Sequence, residues 1–99
     1  MSKQNEIIAG LALQYLSIEN LATSDDDYQT ILNRLKPQIQ YLLDKDLQTL
    51  LNALYRIDVD ENKFKFILEQ GLPDEISEGV SKLILDRIIL KAQTRLKYQ

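Results

Sequence analysis

Between residues 80 and 90 the chain places Val80, Leu83, Ile84, Leu85, Ile88, Ile89 and Leu90, and the only charged residues there are Lys82, Asp86 and Arg87. At the helical interval of about 100° per residue, these apolar side chains cover nearly the whole circumference. A helix that is apolar all round must be enclosed. This segment is therefore either the central helix of a bundle or a helix with one face against a second molecule. A chain of 99 residues has little material with which to enclose a helix. Self-association through the C-terminal helix is the leading expectation.

The rest of the chain offers little for a sheet. Three Gly and two Pro leave few residues for hairpin turns, and Leu, Ile, Lys, Glu, Gln and Ala dominate, which favours helix. An apolar fraction of 44% is that of an ordinary globular protein rather than a disordered one. The prediction is a single all-α domain over residues 1–99. It is a compact bundle of four to five helices, with a kinked second helix and a long C-terminal helix.

Apolar periodicity places the elements. Ile8, Leu11, Tyr15, Ile18 and Ala22 predict a first helix over about residues 4–21. Thr23, Ser24 and the triplet Asp25, Asp26 and Asp27 break it. Ser24 is the expected N-cap of the second helix, with the Asp side chains near its positive end. Consecutive helical positions diverge, so the triplet is a poor metal chelator. In the second helix Tyr28, Ile31, Leu32, Leu35, Ile39, Leu42 and Leu43 keep phase across Pro37. Proline removes one hydrogen bond there and predicts a kink. Asp44 is the expected cap of a third helix, whose buried face would be Leu47, Leu50, Leu51, Leu54 and Tyr55. The fourth helix is expected to end at a left-handed Gly71, and the fifth to start near Asp74.

The chain has no His and no Cys. That removes imidazole and thiol catalysis, Cys/His zinc sites and disulfides. The carboxylate pairs Asp44/Asp46 and Asp58/Asp60 sit at expected helix starts, where nothing predicts a raised pKa. The expectation is no enzyme, no catalytic residues, no cofactor and no metal. One alternative is a degenerate EF-hand-like calcium loop at 58–69. Asp58, Asp60, Asn62 and Glu69 match positions 1, 3, 5 and 12 of that pattern. Lys63 stands where the loop needs a glycine, and Lys65 brings a second cation close. Asp60 as the N-cap of the fourth helix, with Val59 packed on Phe64 as a hydrophobic staple, accounts for the same residues.

Charge is unevenly distributed. Residues 1–78 hold seven basic and fourteen acidic side chains, whereas residues 79–99 hold Lys82, Arg87, Lys91, Arg95 and Lys97 against Asp86 alone. The contacts expected to mediate self-association, or binding to another protein, are Leu85, Ile89 and Leu96, with Arg87, Lys91 and Arg95 beside them. A second alternative is a nucleic-acid-binding accessory protein using this basic line. The acidic remainder of the chain opposes that reading. The longest uncharged run, residues 7–18, is shorter than the roughly 20 residues that span a bilayer. A cytoplasmic location without membrane insertion is expected.

Three segments carry a resemblance. Leu51-Asn52-Ala53-Leu54-Tyr55-Arg56-Ile57-Asp58-Val59-Asp60-Glu61, Leu83-Ile84-Leu85-Asp86-Arg87 and Lys91-Ala92-Gln93-Thr94-Arg95-Leu96-Lys97-Tyr98 resemble a family of small, uncharacterised, all-helical bacterial proteins. The resemblance covers the C-terminal half. It implies a similar small helical fold and brings no activity or site residue.

Overall fold

Val80, Ser81, Ile84, Leu85, Ile88 and Ala92 have no exposed surface. They lie in the long last helix, α5 (Pro73–Lys97), which packs against all four others: α1 (Lys3–Leu16), α2 (Tyr28–Lys45), α3 (Leu47–Ile57) and α4 (Glu61–Gln70). The computed structural model describes residues 3–98. All five elements are helices and all five contribute to one hydrophobic core. Among the described residues no helix is long and apolar enough to cross a membrane. The radius of gyration, 13.0 Å, is that of a folded unit of about 100 residues.

The enclosure of α5 is wide but incomplete. At helical spacing the six fully buried residues span an arc of roughly 140°. Leu83 and Ile89 flank that arc half-buried, and Leu90 is exposed beside Lys82 and Asp86. The chain thus covers most of its own central helix.

Local chemistry sets the helix ends, in several places differently from the expectation. α1 stops at Leu16, because Ser17 turns left-handed at φ 57°. Ile18, Leu21 and Ala22 are still buried, but from an irregular segment rather than further helical turns. Polar bonds fix that segment. Asn5 Nδ2 donates to the carbonyls of Thr23 at 2.7 Å and Asp26 at 2.9 Å. Arg34 donates to the Leu21 carbonyl and pairs with the Asp26 carboxylate.

The N-cap of α2 is Asp27, not Ser24, and it accepts from the Thr30 N–H at 2.9 Å. α2 runs as one helix through Pro37, whose missing N–H leaves the Asn33 carbonyl without its usual helical donor. Asp46 rather than Asp44 caps α3, accepting from the Thr49 N–H and hydroxyl. α5 starts at Pro73, where a missing N–H is harmless. The preceding Leu72 N–H donates to the Glu75 carboxylate.

Gly71 is extended (φ −87°, ψ 148°), not left-handed. Its requirement is space, since a Cβ there would stand 2.9 Å from both the Ile67 carbonyl oxygen and Ile76 Cγ1. Gly79 on α5 similarly admits the Ile67 side chain, to 3.0 Å from where a Cβ would be.

Candidate functional site

The α3–α4 connection opens a large apolar groove. Asp58 ends α3 in the left-handed conformation (φ 70°, ψ 50°). The Val59 N–H then reaches back to the Leu54 carbonyl at 3.0 Å, and the Asp58 N–H bonds to Leu54 and Tyr55. This is a Schellman-type end with Asp in the place usually taken by glycine. Two residues later Asp60 starts α4, its Oδ1 accepting from the Asn62 and Lys63 N–H groups at 2.8 and 3.2 Å, as the sequence predicts. Val59 packs on the core that contains Phe64.

This sharp turn directs α4 onto α5, and α3 and α4 make no substantial contact with each other. Between them lies a groove of about 980 Å³. Its walls are Leu47, Leu51, Leu54, Phe64 and Leu68, with Tyr55 at its edge. Leu47, Leu51 and Leu68 are each about 40% exposed and Tyr55 is 87% exposed. The rim carries Arg56 and Lys65 together with Asp58, Asp60 and Glu61.

The groove corrects the expected packing of α3. Leu50, Ala53, Leu54 and Ile57 form its buried face, while Leu47, Leu51 and Tyr55 face outward. Its apolar stripe is wider than the neighbouring helices can cover.

The residues expected to form an interface on α5 are dispersed. Leu85 is fully buried in the chain's own core, which corrects its assignment as a contact for a partner. Ile89 and Leu96 are half-buried, and Ile89 also packs on the core. Arg87 turns inward to α3, donating from Nε to the Ile57 carbonyl and from Nη2 to Asp58, both at 3.3 Å. Lys91 and Arg95 instead line a cleft of about 400 Å³ with Tyr15, Leu90 and Thr94. Arg87 also reaches this cleft. The basic line therefore stays together, while its apolar companions do not form an open face.

The calcium-loop alternative fails on backbone geometry. Residues 61–69 lie within α4, whereas the loop needs them to wrap around a cation. Asp60 is engaged as a helix cap and Asp58 faces a guanidinium. Among the described residues no group of three acidic side chains is placed to hold a metal ion.

Comparisons with protein-family models, with curated proteins and with solved structures find no match.

Proposed function

We propose that this chain is a non-enzymatic helical interaction module that pairs with a second copy of itself through the α3–α4 groove. The observation that carries this is the outward-facing apolar set Leu47, Leu51, Tyr55 and Leu68 over the groove. A contiguous apolar surface rimmed by polar residues is characteristic of protein contacts. Leu47, Leu51 and Tyr55 recur at four-residue steps on α3. They form the kind of stripe that an apolar groove receives from an amphipathic helix.

The rim charges favour a second copy as the occupant. Arg56 and Lys65 stand beside Asp58, Asp60 and Glu61. In a two-fold arrangement the same patch meets itself, so cations of one copy can face carboxylates of the other. A rim of one sign would repel its own copy. The cytoplasm is the compartment this reading assumes.

The test contrasts two exposed leucines. Leu51 lies in the groove and Leu90 on the open side of α5. In sedimentation velocity, Leu51→Asp is expected to give monomer while Leu90→Asp retains the wild-type dimer. Dissociation by Leu90→Asp alone would move the interface to α5 and contradict the groove assignment.

A further inference from the structure

We infer that the cleft beside Tyr15 is a binding site for a compact polyanion carrying two or more phosphate groups. Its cations Lys91 and Arg95 lie outside the groove proposed for pairing, whereas Arg56, over the Tyr15 ring, is shared with the groove rim. Arg56 Cζ lies 5.3 Å and Lys91 Nζ 6.0 Å from the centroid of the Tyr15 ring, within the range of cation–π attraction. Arg95 lines the same cleft one helical turn beyond Lys91, and Arg87 one turn before it.

Among the described residues four cations are held by carboxylates, one of them Arg87 of the cleft itself. Arg34 is paired with Asp26, Lys36 and Lys82 with Glu78, and Arg87 with the exposed Asp58. Among the described residues no carboxylate lies within ion-pair distance of Arg56, Lys91 or Arg95. The protein has 15 acidic side chains and a net charge of −3, yet these three cations gather without one. Like charges one turn apart on a helix repel, and a bound anion relieves that repulsion.

Geometry and chemistry select the class of anion. Steps of four residues on α5 separate Arg87, Lys91 and Arg95 by about 6 Å each along the axis. A single small anion cannot meet cations spread over that length, whereas two or three linked phosphates can. Guanidinium forks bind phosphate oxygens in pairs, and an ammonium adds a point charge. The cleft holds only about 400 Å³. Outside it the strongly acidic residues 1–78 would repel an extended polyanion. A compact phosphorylated molecule therefore fits better than a nucleic-acid strand.

The experiment is calorimetric titration of the full chain with inorganic tripolyphosphate at low salt. The expected result is saturable binding at one site per chain, weakened roughly tenfold or more in Lys91→Gln/Arg95→Gln. Both side chains lie outside the buried core, and an unchanged circular dichroism spectrum would establish that the variant is folded. Dimer formation by sedimentation should be the same in that variant, which separates this site from the groove. No saturable heat, or equal affinity in the variant, would overturn the inference. Equal affinity for orthophosphate would overturn the need for linked phosphates. Affinity for single-stranded oligonucleotides that exceeds that for tripolyphosphate and rises with length would make a nucleic acid the ligand instead.

Discussion

Arg87 on α5 holds the end of α3 through Asp58: its Nη2 lies 3.3 Å from Asp58 Oδ2, and its Nε donates to the carbonyl of the preceding Ile57. The last turn of a helix presents unpaired carbonyls and partial negative charge, which a cation offsets. Asp58 itself is left-handed, a conformation that costs most residues about 1–2 kcal/mol and glycine almost nothing. The contact and the left-handed backbone both act at the turn from which α4 leaves α3.

Two substitutions at Asp58 separate these effects. Both Asp58→Gly and Asp58→Ala delete the contact with Arg87, and only glycine is relaxed at φ 70°. Urea unfolding should place Asp58→Ala about 1 kcal/mol below Asp58→Gly. Equal stabilities would mean that the left-handed turn contributes nothing.

The acid limb of stability should depend on Asp26. The Arg34 guanidinium holds its carboxyl well below the usual carboxylate range, aided by the Thr23 N–H. A depressed folded pKa stabilises above the unfolded value and loses that contribution as pH falls through the folded one. Unfolded Asp titrates near pH 4, so this contribution declines from about pH 4 downward. Asp26→Asn should be less stable at neutral pH and show a flatter decline in thermal midpoint on acidification. A decline as steep as wild type would remove Asp26 from the account.

At the alkaline end the relevant group is Tyr28. Burial, then its 2.8 Å hydrogen bond to Asp86, push the phenol up to about 12. A raised folded pKa stabilises below the unfolded value and is lost as pH rises through the folded one. The window is therefore pH 10 to about 12. Tyrosinate absorbance should include a component that titrates late, and Tyr28→Phe should abolish it while removing the corresponding loss of stability. Persistence of the late component in Tyr28→Phe would assign it elsewhere.

Ser81 is fully buried on α5 and its hydroxyl has no hydrogen-bond partner among the described residues. A buried polar group left unpaired costs about 1–3 kcal/mol, and alanine is the better helix former. Ser81→Ala should therefore raise the unfolding free energy by about 1 kcal/mol in chemical denaturation. A loss of stability would show that the hydroxyl has a partner.

Much of this fold can be read from sequence wherever one residue dictates local geometry. Asp60 caps α4 as its position implies, and α5 begins at Pro73, one residue before the expected start. The extent of α1 was not legible, because Ile18, Leu21 and Ala22 continue the helical rhythm although Ser17 has already turned the chain away. The same limit governs the sites. Leu47, Leu51 and Tyr55 share a wide apolar arc with Leu50 and Leu54, and only the positions of the other helices decide which edge stays outside. Arg87, Lys91 and Arg95 show themselves by their spacing. Tyr15, which completes their cleft, comes from α1, Arg56 over its ring comes from α3, and no local pattern links either to α5.

The central claim is pairing through the α3–α4 groove, and the solution mass over a range of protein concentrations tests it most directly. Light scattering should give twice the 11.5 kDa chain mass for the wild type in the micromolar range, and the single-chain mass for Leu51→Asp under the same conditions. A wild-type mass of 11.5 kDa at every concentration would contradict the account.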